Sequence, residues 1–243
     1  MQPTTFSSSS GVEKLQHLRA IAANEEWNIR IRHDARKRLF DIAFSALFLL
    51  ASSPFLFTIA LLVRLTSHGP VFYKSRRLGR GGKVIECWKF RSMYKDADER
   101  LHQLLRSDEQ FRIEWEAFQK VKDDPRITPI GRFLRKTSLD EVPQFWNVLK
   151  GDLSVVGPRP PTLLGPPEQF LHEIRLLYGN RAAKILSIRP GITGVWQISG
   201  RSQIPFEERC RLEERYAASR TFWQDLVLIA KTVPAVLFSR GAF

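Results

Sequence analysis

The chain has 243 residues, room for one large or two small domains, and carries 38 Lys+Arg against 25 Asp+Glu, a formal net charge of +13. That excess favours an anionic partner, whether nucleic acid, anionic lipid or a phosphorylated small molecule. Cys87 and Cys210 lie far apart with no CxxC spacing, and the five histidines form no HExxH pair, so a disulfide framework or a zinc site is disfavoured and a reducing compartment fits.

Residues 1–12 are polar and Ser-rich and read as a disordered tail. A charged helical stretch is expected from about Glu13 to Arg38; the polar start does not suit a cleaved signal peptide. Ile42 to Val63 then gives 22 residues without a charge. As a helix this run is about 33 Å long, against about 30 Å for a bilayer core. A buried core helix of a soluble protein is the alternative, but one of that length usually carries a polar stripe. Ser53-Pro54 sits mid-run, where proline removes a backbone hydrogen bond and bends a helix, and a serine hydroxyl can take up the freed carbonyl. Arg30, Arg32, Arg36, Lys37 and Arg38 precede the run, and Arg64, Lys74, Arg76 and Arg77 follow it. The positive-inside rule places both flanks in the cytoplasm, which favours a re-entrant helix–break–helix over a simple span; on these residues alone the span stays open.

Two β-prone stretches, near Val71–Arg76 and Lys83–Phe90, flank Gly79-Arg80-Gly81-Gly82 and predict a β-hairpin. The glycines lack P-loop spacing and read as a turn. Asp96 to Lys122 shows helical apolar spacing (Leu101, Leu104, Leu105, Phe111, Trp115, Phe118) and predicts an amphipathic packing helix or pair. A helix is expected near Pro167–Tyr178, and the segment 188–202 reads as an irregular loop. The C-terminal apolar stretch contains Asp225, Lys231 and Pro234, which suits an interfacial helix with Phe222 and Trp223 at headgroup level better than a span.

Asp140 and Glu141 stand out in the stretch 135–160. Ser138-x-x-Glu141 matches a capping box with Pro143 near the first turn, which would place both acids at a helix N-terminus and keep them ionised. Arg135 and Lys136 push the same way. An ionised aspartate can act as a nucleophile and a second carboxylate can hold a divalent cation; the plain alternative is that both acids only cap the helix. Prolines on either side restrict Arg159, a setting suited to bidentate phosphate recognition. Lys89 and Arg91 share one face if Phe90 points inward. Basic, phosphate-shaped surroundings for two acids, next to a membrane segment, suggest chemistry on a lipid-linked phosphate.

From about Lys37 onward the chain resembles the bacterial sugar transferases, the monotopic phosphoglycosyl transferases. The resemblance rests on "KRLFD", Ser53-Pro54, "PVFYKSRRLG", "KFRSM", "DPRITPIGRFLRKTSLDEVPQFWNVLKGDLSVVGPRP", "RPGITGVWQISGR" and the terminal "GAF". It implies transfer of a hexose 1-phosphate from a UDP-sugar to undecaprenyl phosphate, with release of UMP and no need for ATP. Asp140 would be the nucleophile, forming a phosphosugar–aspartyl intermediate. Glu141 would be the Mg²⁺ ligand. Lys89, Arg135 and Arg159 match positions near the phosphates. Asp225 matches an acid near the family's C-terminus and is grouped with the phosphate-binding set. The implied fold is α+β and mainly helical. Residues 1–36 would form a tail and N-terminal helix, 37–66 a re-entrant membrane hairpin, and 67–243 a cytoplasmic catalytic domain with a β-hairpin and interfacial amphipathic helices. The chain carries the Asp96–Lys122 insertion that the smallest members lack; longer members with it often use UDP-glucose or UDP-galactose. The expected partners are a nucleotide sugar, undecaprenyl phosphate and membrane lipid, without nucleic acid; a homodimer is compatible. The expected location is the bacterial inner membrane, and the pathway would be polysaccharide or glycoconjugate synthesis. Two other readings compete: a membrane-tethered nucleic-acid-binding protein using its charge with Trp88, Phe90 and Trp146, and a structural membrane scaffold.

Overall fold

The computed structural model describes residues 29–118, 121, 123–163, 174, 178–200 and 203–237. The expected tail, the start of the stretch from Glu13, most of the helix expected near Pro167–Tyr178 and the C-terminal "GAF" lie outside them. The protein is mainly helical, with two small sheets.

Helix α1 spans Ala35–Thr66, 32 residues. Asp34 caps it by accepting the Lys37 N–H at 3.0 Å. The backbone stays helical through Pro54, so no turn of the helix is lost at the expected break. The reason is local hydrogen bonding. Pro54 cannot donate to the Leu50 carbonyl, and Ser53 Oγ donates to that oxygen instead at 2.8 Å. Ser52 and Thr58 bond back to the carbonyls of Phe48 and Pro54. α1 is the one helix among the described residues long and apolar enough to cross a membrane. Leu47, Leu50 and Phe57 project from it, each about 70 % exposed.

Both arms of α1 meet the same body. In the N-terminal arm Phe44 and Phe48 pack on Phe145, and the Arg38 guanidinium donates to the carbonyls of Val148 and Leu149. In the C-terminal arm Ile59 and Val63 form a core with Phe90 and Leu134. Arg91 closes that end, its Nη2 donating to the Ser67 carbonyl at 2.6 Å and to Ser67 Oγ at 2.7 Å. Arg91 therefore does not share a face with Lys89 as expected. It lies just past the strand that carries Lys89, where the regular alternation of faces has ended.

The hairpin forms as predicted: β1 (Phe72–Leu78) and β2 (Val84–Phe90) pair antiparallel through a 3-10 turn at Arg80–Gly82, with Tyr73 opposite Lys89. α2 (Ala97–Ser107) and α3 (Glu109–Phe118) are the expected helix pair. Arg126, in a fork on Asp124, stacks over Trp115 at 4.7 Å and ties α3 to the next loop. α4 (Pro129–Lys136) and α5 (Gln144–Lys150) flank the acid pair. The glycine-rich segment expected as a loop contributes a strand: β4 (Gly191–Thr193) pairs parallel with β3 (Ser154–Val156). Glycine permits this pairing, because a Cβ at Gly191 would overlap the Gly157 amide nitrogen. The short helices α6 (Ala182–Ile185) and α7 (Val195–Ile198) precede α8 (Phe206–Ser219) and α9 (Phe222–Leu237). The main core joins α5, β3, α8 and α9 through Phe145, Val148, Val155, Tyr216 and Leu228.

Candidate active site

The acid pair sits in a 3-10 turn, Leu139–Glu141, between α4 and α5. Ser138 enters this turn at φ 56°, the one non-glycine residue with positive φ among those described. Its side chain makes no capping bond, so the expected capping box is absent. Ser138 holds the left-handed conformation, and the regular helix begins only at Gln144. The acids are thus held by side chains instead of a helix N-terminus.

Lys89 Nζ lies 2.7 Å from Glu141 Oε1 and 3.4 Å from Asp140 Oδ2. Arg159 forks onto Glu141, with Nη1 to Oε2 at 3.1 Å and Nη2 to Oε1 at 2.9 Å. Arg135 Nε donates to Ser92 Oγ at 2.9 Å, and its charge acts on Asp140. Five expected residues therefore converge in one place: Asp140 and Glu141 with Lys89 and Arg159, and Arg135 beside them.

The two carboxyls differ. Burial raises the Asp140 carboxyl above its usual range; Lys89 and Arg135 oppose this, and the neighbouring Glu141 adds to it. Burial would also raise Glu141, but Arg159 and Lys89 outweigh it and hold that carboxyl well below its usual range. Tight ion pairing keeps Glu141 ionised and leaves Asp140 the more easily protonated acid.

The elements that set this geometry are specific. Asn147 on α5 is fully buried; its Oδ1 accepts the Trp88 N–H at 2.8 Å and its Nδ2 donates to the Glu86 carbonyl at 2.6 Å. This fixes β2 against α5 one residue before Lys89. On the other side of Glu141, Arg77 donates to the Pro160 carbonyl at 3.0 Å. Burial and then the Arg159 charge lower the Arg77 guanidinium to about 10, so it remains a cation at neutral pH. Arg77 and Asn147 were missed as site residues because their contacts lie far away in sequence. An asparagine amid the apolar residues of α5 was the visible signal for the second.

Asp225, expected among the phosphate-binding residues, makes its contacts in a different cluster. It is buried, accepts the Tyr216 hydroxyl at 2.6 Å and pairs with Lys37 Nζ at 3.0 Å. Lys37 also pairs with Asp41 at 2.8 Å, and Asp41 accepts Ser154 Oγ at 2.8 Å. The aspartate is near the terminus in sequence, but the fold of α9 onto α8 and α1 encloses it in this network.

Among the described residues no group of three or more Asp, Glu, His or Cys gathers as a metal cage. Two adjacent carboxylates suffice for a divalent cation that takes its remaining ligands from phosphate oxygens and water. Glu141 Oε1 accepts two bonds and Oε2 one, which leaves a lone pair on Oε2. The donor set therefore fits such an ion.

A profile of the family described as Bacterial sugar transferase matches residues 32–239, and the chain belongs to that family of phosphoglycosyl transferases. Among its relatives is the Exopolysaccharide production protein ExoY of Rhizobium meliloti (strain 1021), 40% identical over 207 residues, covering 85% of this chain and 88% of that protein. The Undecaprenyl-phosphate galactose phosphotransferase of Salmonella typhimurium is 42% identical over 208 residues, 85% of this chain but 41% of its own length. The Undecaprenyl-phosphate glucose phosphotransferase of Komagataeibacter xylinus is 38% identical over 226 residues, 90% of this chain and 38% of its own length. The chain thus spans about two fifths of the length of the two phosphotransferases.

Proposed function

We propose that the protein transfers a hexose 1-phosphate from a UDP-sugar to undecaprenyl phosphate at the cytoplasmic face of the bacterial inner membrane. The carrying observation is the acid pair, with half-buried Glu141 gripped by Lys89 and Arg159 and buried Asp140 left with the weaker contact. The relatives named as galactose and glucose phosphotransferases on undecaprenyl phosphate support the lipid carrier and a hexose donor.

In this reading an Asp140 carboxylate oxygen attacks the β-phosphorus, which bears the sugar. The bond from that phosphorus to the bridging oxygen breaks and UMP leaves. The undecaprenyl phosphate oxygen then attacks the phosphosugar–aspartyl group, and Asp140 is regenerated as a carboxylate. One pyrophosphate linkage is lost and one formed, so no further energy source is required. Lys89, Arg159 and Arg135 offset the charge of two approaching polyanions. Glu141, with Asp140 beside it, would hold Mg²⁺, which would supply charge neutralisation at the phosphate oxygens. Splitting the exchange into two displacements is the gain of covalent catalysis.

The membrane arrangement is re-entrant in this reading: α1 bends at Ser53-Pro54 while staying helical, residues 37–66 dip into the bilayer and 67–243 remain on its cytoplasmic side. Support comes from both arms of α1 resting on α4, α5 and β2, with basic residues at both ends. A straight span would carry that shared body into the hydrocarbon. Phe222 and Trp223, exposed at the start of α9, suit the headgroup region.

The test is nucleotide release. Purified protein with Mg²⁺, undecaprenyl phosphate and a panel of UDP-sugars should yield UMP, and Asp140→Asn should abolish it. Release of UDP, or of nothing across the panel, overturns the reaction.

A further inference from the structure

Arg159 is gripped by its backbone as well as by its side chain. Pro158, Pro160 and Pro161 carry no N–H, so the Arg159 amide is the one backbone donor from 158 to 161. That amide donates to Glu213 Oε1 at 3.1 Å. The Arg159 carbonyl accepts Arg209 Nη2 at 2.9 Å. Arg209 and Glu213 pair with each other at 3.1 Å, one turn apart on α8. Arg209 Nη2 also reaches Tyr178 Oη at 3.3 Å. The two guanidiniums share one aromatic ring: Arg209 lies 4.8 Å from the Trp196 ring centre and Arg159 5.4 Å.

Glu213 is fully buried and its Oε2 has no hydrogen-bond partner among the described residues. A buried carboxylate with one oxygen unsatisfied is costly to stability. Packing alone gives no reason for it, since an apolar side chain would fill the space without that cost. Its bonded oxygen serves the one residue of this proline-rich loop that reaches the acid pair.

We propose that Glu213 and Arg209 are positioning residues for Arg159, and through its fork for Glu141; the inference rests on reading the acid pair as the reaction centre. α8 brackets the Arg159 peptide on both polar groups, and Trp196 limits the swing of the guanidinium. Neither residue needs to touch substrate. Their effect on rate comes from holding a charged fork at a fixed angle, where a displacement of about 1 Å is worth up to about a hundredfold.

The experiment uses the full chain in a membrane mimetic and two readouts. In the first, phenylglyoxal modification of Arg159 is followed by peptide mass spectrometry, without substrate. Glu213→Ala and Arg209→Ala should each speed Arg159 modification several-fold. Glu213→Gln keeps an acceptor for the Arg159 amide and should stay within about twofold of wild type. In the second, UMP release should lose tenfold or more in kcat for Glu213→Ala, with a smaller change in donor KM, and Glu213→Gln should recover most of the rate. Thermal unfolding selects variants that remain folded, and Arg209→Ala, at a less buried position, stands in if Glu213→Ala does not. Unchanged Arg159 reactivity in the folded variants overturns the inference, as does an equal loss of rate in Glu213→Gln and Glu213→Ala. If wild type releases no UMP, the reaction reading fails, while the modification readout still decides the positioning role.

Discussion

Asp140 and Glu141 are adjacent in sequence, yet burial raises the first carboxyl while Arg159 and Lys89 hold the second down. A nucleophilic Asp140 must be ionised, so the rate should rise with pH through its folded value. That value lies above the ordinary aspartate value of about 3.9. Lys89 lowers the Asp140 carboxyl, so Lys89→Met should move the acid limb of the residual activity to higher pH; a pH–rate profile with an unmoved or lowered limb would contradict this. The linkage to stability has opposite signs for the two groups. Glu141, depressed, contributes stability present above its unfolded value and lost as pH falls through its lower folded value. Asp140, raised, contributes stability present below its unfolded value and lost as pH rises through its folded value. Arg159→Lys keeps the charge but not the fork on Glu141. It should cost about tenfold in UMP release, roughly the loss of one charge-assisted bond of about 1.5 kcal/mol.

The turn between α4 and α5 decides where those residues point. Ser138 holds a positive φ, which a β-branched residue tolerates poorly. Ser138→Val should destabilise the fold by about 1–2 kcal/mol, a Tm decrease of about 2–8 °C for a domain of this size; Ser138→Gly should be neutral or stabilising. Thermal unfolding of the pair separates backbone strain from loss of the hydroxyl. Close approach matters at the other end of α4, where a Cβ at Gly131 would overlap the Ser92 carbonyl. Helix spacing and hairpin alternation were legible in the sequence, because both are local periodicities. The capping box was legible too, but it misled: a local motif states what a turn can do, and Ser138 took another conformation.

At the scale of the whole molecule, one buried network joins α1 to β3, α8 and α9. Lys37 lies between Asp41 and Asp225, and Ser154 and Tyr216 complete the set. Lys37→Met would leave two buried carboxylates without their cation, and breaking a buried pair in this way costs about 3–5 kcal/mol. The variant should fall below the level of folded protein recovered for Asp225→Asn, measured by thermal unfolding and yield. Topology is tested with single cysteines at Arg36 and His68, both exposed beyond the apolar run. Both should label from the cytoplasmic side; labelling from opposite sides would refute the re-entrant arrangement.

The sequence by itself determined the apolar run, the basic flanks, the hairpin, the acid pair and the cations Lys89, Arg135 and Arg159. Charge, periodicity and ordered motifs are properties of the chain before it folds. The Ser53 hydroxyl takes up the Leu50 carbonyl freed by Pro54, as the Ser-Pro pair suggested; only the tertiary structure decided what the two arms of α1 rest on. It alone placed Asp225 in a buried network and Arg91 at the end of α1. It alone brought Glu213, Arg209 and Trp196 to Arg159. Those contacts join residues tens of positions apart, and no local pattern encodes a distance across the fold.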